Sequence, residues 1–579
     1  MEKKQKGNKT FWWAVAIGAL VLVNLIASML HFRVDLTEEK RYSLTPATRS
    51  LLQNLDDELR IQVFLKGDFP AEFRKLSNTT EDFLQVLKET AAGQIRYDFI
   101  SPLDDAGAGR TWGDSLSNIG AAPINLSVQV QQGQENKFIF PFALVTYKGQ
   151  TSLVNLFESS KKNVNRADLN AAEAAMEYNF VKAVSQLQNP TKPLVAYTVG
   201  NGQPTGPETY DLQFTIDPEN RAPDQGLRSN YTFVLFNLQT QRFIPDTIKA
   251  IFIVKPTEPF NDAQKLMLDQ YVMRGGKIIW AIDNLHAEQD SLSFTNQLIA
   301  YDRNLNVQDL LFRYGVRINP DLLMDLQCDF LPFVVGGSAE NPQYDFLKWN
   351  YYPLFESRSN HAINKNLGLV AGRFVNSIDT VDVANVSKTF LLQSSANSRT
   401  ISTPALISPN ENRNAPEDNK FKQRHIPAAV LLEGEFTSLY KARVGRAQMD
   451  SLAQFGGFRE NSGANKMVVI ADGDVLLNDV STQSGPLPMG MNLFTVGSQY
   501  EYQFANRQFV SNILEYLLSP GHLIQTRNKD VVLRLLDGRK VEEEKTVWQL
   551  INIALPILLV VLAGWVYQQL RKRQYAAAR

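Results

Sequence analysis

The chain has 579 residues, a formal net charge of −1 and one cysteine. Near-neutral charge with no basic block gives nothing to neutralise phosphates, which argues against nucleic acid as a partner. A lone Cys328 excludes an internal disulfide framework and any thiolate zinc cluster.

Four lysines, Lys3, Lys4, Lys6 and Lys9, precede a stretch without formal charge that reads as a transmembrane helix over 11–32. At 1.5 Å per residue such a helix reaches roughly 33 Å, enough for a hydrocarbon core of about 30 Å. A cleaved signal peptide would share the basic start, but the A-x-A pattern is absent and the apolar run is long. A second apolar stretch, 546–570, is followed by Arg571, Lys572, Arg573 and Arg579. The basic flanks predict two membrane helices, cytosolic ends (1–10 and 571–579) and a periplasmic bulk at a bacterial inner membrane. Asn24 and Asn552 lie at similar depths from the outer ends. They are candidates for a contact between the helices or with a partner's helices, unless each meets headgroup water.

After the exit segment, "SLTPATRSLLQNL" starts a helix capped by Thr45 with Pro46 at its first position. Apolar alternation predicts strands at 59–65, 94–100, 125–130 and 138–147, with helical patterns at 71–92 and 167–188. These form an N-terminal α/β domain, 33–190. A second domain opens with "KPLVAYTVGNG" (192–202), followed by strands at 231–238 and 248–254. A helix then stops at Gly275-Gly276 and feeds the strand Lys277 to Ile282. This order predicts a doubly wound, flavodoxin- or glutaminase-like parallel sheet over 191–330. An irregular α/β insertion (331–445) would interrupt it, and 446–529, with the strand "NKMVVIADGD" (465–474), would complete it. The fold class is therefore membrane-anchored mixed α/β, with a linker at 530–545 before the second membrane helix.

Chemistry is sparse. Gly200-Asn201-Gly202 follows a strand but lacks the spacing of a dinucleotide or P-loop fingerprint, and reads as a turn. No Walker motif, G-x-S-x-G elbow or H-E-x-x-H pair occurs. Asp283 and His286 fall at the carboxyl end of a predicted strand, where open α/β sheets bind ligands. Asp472 and Asp474 cluster at another strand end, where oxygen ligands would suit a divalent cation or ordinary turn chemistry would suffice. Together these residues make a candidate ligand or partner site. No catalytic residue, metal site or cofactor is assigned.

Several segments carry a resemblance. "VDLTEEKRYSLTPATRSLL" after the first apolar run, "LDQYVMRGGKIIWAIDN" (268–284), "LLFRYGVRINPDLLMD" (310–325), "WNYYPLF" (349–355), "AAVLLEGEFTSLY" (428–440), "MVVIADGDVLLND" (467–479) and "NRQFVSNILEYLL" (506–518) are similar to the GldG family. That family comprises auxiliary, so-called substrate-binding, components of gliding-motility ABC transporters in the Bacteroidetes. The resemblance implies a non-enzymatic membrane-anchored subunit that works with an ABC permease, a separate cytosolic ATPase, and envelope or secretion components. Relatives often carry a Gly-His-Gly-Glu-like turn where this chain has "VGNGQPT". Asn201 and Gln203 stand in place of the histidine and the acid. The alternative reading is an envelope hydrolase or carbohydrate-processing enzyme using Asp283, Asp472 and Asp474.

Overall fold

The computed structural model describes most of residues 43–519, Thr526, the span 538–576 and five helical positions among 15–21. Between residues 43 and 519 the longest stretches outside the described residues are 158–165, 213–226, 409–417 and 446–451. Most of the apolar stretch 11–32, Asn24 included, also lies outside them. The chain divides into two compact units, residues 1–529 and 530–579. The first is mixed α/β with several sheets.

Thr45 caps α1 (Pro46–Gln53), its hydroxyl accepting from Thr48 N–H, with Pro46 at the first turn. A buried carboxylate further along the chain holds this start. Glu177 Oε1 accepts from Thr45 N–H at 2.8 Å and from the Thr48 hydroxyl at 2.5 Å. Then follow β1 (Leu59–Val63), α2 (Ala71–Thr90) and β2 (Ile95–Phe99). The strand predicted over 138–147 is broken at Pro141, which has no N–H to give a ladder. Residues before the break form a separate hairpin, Ile124–Val130 with Gly133–Ile139, and those after it form β3 (Phe142–Tyr147), continued by β4 (Gln150–Asn155). The four-stranded sheet runs β2-β1-β3-β4, parallel only between β1 and β2. α2 and α3 (Arg166–Gln188) cover it, packing Phe73, Leu76 and Leu84 with Met176, Phe180 and Val184.

The larger sheet uses β5 (Leu194–Val199), β6 (Thr232–Asn237), β7 (Ile248–Val254), and, after α4 (Asp262–Met273), β8 (Lys277–Ala281). α4 begins with a reciprocal box between Asn261 and Gln264. It ends before Gly275 at φ +94°, and at Gly276 a Cβ would meet the Tyr271 ring at 2.3 Å. That contact requires a glycine. Beyond β9 (Leu298–Asp302) and α5 (Gln308–Tyr314), the stretch expected as an irregular α/β insertion is built of strands. Within 331–445 the described residues contain no α-helix. A long hairpin, β10 (Cys328–Gly337) with β11 (Pro342–Phe355), buries Phe333, Trp349, Tyr351 and Tyr352. The aromatic density of "KWNYYPLF" suits a pleated, half-buried surface, which explains the departure.

β12 (Val386–Gln393) and β13 (Pro427–Thr437) then join the large sheet, followed by β14 (Asn461–Ile470). Its order is β6-β5-β7-β8-β14-β13-β12. The first five strands are parallel, and β13 and β12 pair antiparallel at one side. Alternate residues feed two cores. Val195, Tyr197, Ala250 and Phe252 pack with Phe509, Ile513 and Leu514 of α6 (Asn506–Leu518), whereas Ala196, Ile251 and Ile253 pack with Leu268 and Tyr271 of α4 and Leu310 of α5. Burial on both faces is what parallel strands require.

The second unit contains α7 (Gly538–Ala576), whose apolar span Glu544–Arg573 is long enough to cross a bilayer. Residues 538–545, expected as linker, belong to this helix. Asn552 lies exposed on it, and Pro556 sits inside it.

Candidate functional site

Parallel strands end on the same side of a sheet, so the residues that follow them meet. Val254, Ala281 and Ile470 are register partners at the ends of β7, β8 and β14. The next residues are Lys255, Ile282-Asp283 and Ala471-Asp472-Gly473-Asp474. The ladder continues one step further, with Lys255 N–H donating to Ala281 O at 2.7 Å and Ile282 N–H to Ile470 O at 2.9 Å. Asp283, Asp472 and Asp474 each bring a carboxylate oxygen within 4.8 Å of the others.

A lysine satisfies this acidic convergence. Lys255 Nζ lies 2.7 Å from Asp474 Oδ1, 3.0 Å from Glu288 Oε2 and 3.3 Å from Asp283 Oδ2. Three donors meet three carboxylates. Glu288 is held from its other side by Arg303, which also donates to Leu285 O at 2.9 Å. Asp283 accepts from Gly473 N–H at 2.5 Å, and Asp472 accepts from Asp474 N–H at 2.8 Å and Arg373 N–H at 2.7 Å. The Arg373 guanidinium forks onto Asp479 at 2.5 and 2.6 Å and lies over the Tyr352 ring.

The electrostatics follow from burial and pairing. Burial pushes Asp283 up to about 6, Asp474 and Glu288 pushing with it and Lys255 pulling against it. Burial, then Asp283 and Asp474, hold Asp472 well above the usual carboxylate range. Burial alone would lower Lys255, but its three carboxylates carry it well above an ordinary lysine. Asp479 is lowered because Arg373 outweighs its burial.

A cavity of about 480 Å³ opens over this edge. Its walls include Lys255, Glu288, Arg373, Phe374, Asp474 and Asp479. Two of these non-glycine residues have left-handed backbones, Lys255 at φ +45° and Phe374 at φ +48°. Such conformations cost on the order of 1–3 kcal/mol each and collect at functional sites.

The remaining predicted residues fall into place around it. Gly200 (φ +111°) and Gly202 (φ +70°) shape a turn at the end of β5, and Gly202 also lines the cavity. A Cβ at Gly202 would come within 2.0 Å of Thr257 Oγ1. Asn201 is buried and trades amide hydrogen bonds with Gln264 at 3.1 and 3.2 Å, tying the turn to the start of α4. His286 is not part of the carboxylate convergence; its ring stacks on Tyr301 at 5.1 Å. Lys255 was missed from sequence although it follows a buried strand by the same rule that drew attention to Asp283. Arg373 arrives from a loop after Val370–Ala371, which carries no sequence signal.

Of the three aspartates, Asp474 lines the cavity, whereas Asp283 and Asp472 are buried and are not among its lining residues. Divalent-cation binding meets an obstacle, because the Lys255 ammonium already pairs with two of the three converging carboxylates, Asp283 and Asp474.

Comparison with known proteins gives the chain a family. A domain of unknown function (DUF7088) matches residues 38–146. No curated protein matches. Among solved structures, the mmIFT52 N-terminal domain aligns with a TM-score of 0.29 and 12% identity, over 56% of this chain and 98% of that one. The exo-beta-1,4-mannosidase Op5Man5 from Opitutaceae bacterium strain TAV5 aligns with a TM-score of 0.16 and 10% identity, over 74% of this chain and 51% of that one. Neither overlap is close enough to define a shared fold. The model of a family described as an ABC-type uncharacterized transport system matches residues 192–513, which include the large sheet and the whole cavity. The chain belongs to this ABC transporter auxiliary family.

Proposed function

We propose that this transporter-associated protein is a non-enzymatic, membrane-tethered subunit of a GldG-type complex linked to gliding motility. It would dock on an ABC permease served by a separate ATPase and bind a ligand or envelope partner at the carboxyl edge of its doubly wound sheet. ABC transport systems in general comprise a permease and an ATPase, and the family match supports such partners. The cavity carries the ligand-binding part of the reading: it lies where open α/β sheets bind ligands, and two left-handed non-glycine residues line it. The apolar span of α7 supports attachment to a membrane. The two-pass topology, with the bulk in the periplasm, rests on the basic flanks of the two apolar stretches.

The test is co-purification of the full-length chain from detergent-solubilised membranes. The expected result is recovery of a permease and an ATPase, together with digestion of the bulk by protease added to spheroplasts. Recovery of the chain alone, or a protected bulk with cleaved tails, overturns the proposal.

A further inference from the structure

We infer that the cavity takes a neutral, polyhydroxylated ligand of the saccharide class, an inference that rests on its being the ligand site proposed above. The cavity volume of about 480 Å³ falls within the roughly 300–1,000 Å³ range of small-molecule sites. Charge then narrows the choice. Lys255 spends its three donors on Asp283, Glu288 and Asp474, and Arg373 spends its fork on Asp479. An anion would therefore find no uncommitted cation and would face a wall of carboxylates.

An organic cation fares little better. Glu288, Asp474 and Asp479 are matched by Arg303, Lys255 and Arg373, leaving only Glu208 at the wall without a cationic partner among the described residues. Pairing uses up charge but not hydrogen-bonding capacity. An ionised carboxylate offers about four lone-pair positions. Asp474 uses Oδ1 for Lys255, and its Oδ2 has no partner among the described residues. Glu208 likewise spends only Oε1, on Gly206 N–H. Such acceptors suit hydroxyl donors, which bring hydrogen bonds without net charge.

The wall also carries apolar side chains. Leu477, Val480, Leu493 and Phe494 are among its residues, carbon surface that suits the C–H faces of a sugar ring.

The experiment uses the full chain in a sugar-free detergent, with saturation-transfer NMR and calorimetry. The neutral probes are maltose, cellobiose, lactose and chitobiose, and the charged probes are inorganic phosphate and putrescine. Val480→Trp, which fills the cavity from a wall position, is compared with the native chain for folding, by circular dichroism, and for binding. The expected result is binding of at least one neutral disaccharide, weakened at least tenfold by Val480→Trp and not displaced by phosphate or putrescine. Binding of phosphate or putrescine in place of the sugars overturns the ligand class but leaves the cavity as the ligand site. If no probe binds, the ligand class falls. If in addition Val480→Trp fully complements a deletion strain, the ligand-site reading falls with it.

Discussion

Gly473 lies so close to Lys255 that a Cβ on the glycine would approach the lysine Cβ to 2.6 Å and its Cα to 3.0 Å. The loop after β14 is thereby pressed against the loop after β7. This contact sets the Gly473 N–H onto Asp283 and places Asp474 within 2.7 Å of Lys255 Nζ. Neither side can move cheaply, because Lys255 is fixed at φ +45° by its backbone bond to Ala281 and its three ion pairs.

Gly473→Ala is accordingly expected to destabilise the chain by about 1–3 kcal/mol, the range for overpacking a closed site. Chemical denaturation of the purified chain measures this. Gly463→Ala on β14, where a Cβ would meet nothing within 4 Å, serves as the reference for the same change made in open space. A Gly473→Ala protein as stable as the native one would mean that the two loops are free to separate.

Much of the scaffold around this contact is legible in the sequence. Runs such as "IKAIFIV" and "KIIWA" announce buried strands, and the Gly275-Gly276 pair announces the end of α4, whose last turn carries the Tyr271 ring that excludes any larger residue. Asp283, Asp472 and Asp474 are recognisable as strand-end residues because the strands are. What the sequence hides is partnership across distance. Arg373 lies in a segment with no regular pattern, and only the folded chain brings it to Asp472 and Asp479. The insertion misleads for a related reason. Its strands are either very short, such as Val370–Ala371 and Ile378–Thr380, or long and bulged, with a register shift at Val334/Gly336, so the period-two alternation is lost.

The lysine can be separated from its carboxylates. Lys255→Ala leaves Asp283 and Asp474 without their cation and Glu288 with Arg303 alone, and removing one member of a buried charge set typically costs about 3–5 kcal/mol. It also removes the ammonium from beside Asp283 and Asp474, which with Asp472 bring carboxylate oxygens within 4.8 Å of one another, a geometry that suits a hard cation with oxygen ligands. The expected outcome is a large fall in thermal stability that millimolar calcium partly restores, with calcium leaving the native chain unchanged. Differential scanning fluorimetry with and without calcium reads both. A native chain stabilised by calcium would contradict the view that Lys255 supplies the positive charge.

The pH dependence of stability has a definite sign. Asp283 is raised to about 6 by burial and its acidic neighbours, against about 3.9 in an unfolded chain. Between those values the folded chain retains a proton that the unfolded chain has released, so this group makes stability fall as pH rises from about 4 to about 6. At about 1.4 kcal/mol per unit, the contribution is on the order of 2–3 kcal/mol. Asp479 works in the other direction and lower on the scale: Arg373 depresses it, so its contribution is present above about pH 4 and fades as pH falls below that. Asp283→Asn should therefore flatten the loss between pH 4 and 6 while leaving the acid limb governed by Asp479 intact. Urea denaturation at pH 4, 6 and 8 distinguishes these cases. An Asp283→Asn chain whose stability falls between pH 4 and 6 as steeply as the native chain's would show that Asp283 ionises in the folded state as freely as in the unfolded one. The buried carboxylates would then not share the cluster's charge in the way its geometry requires.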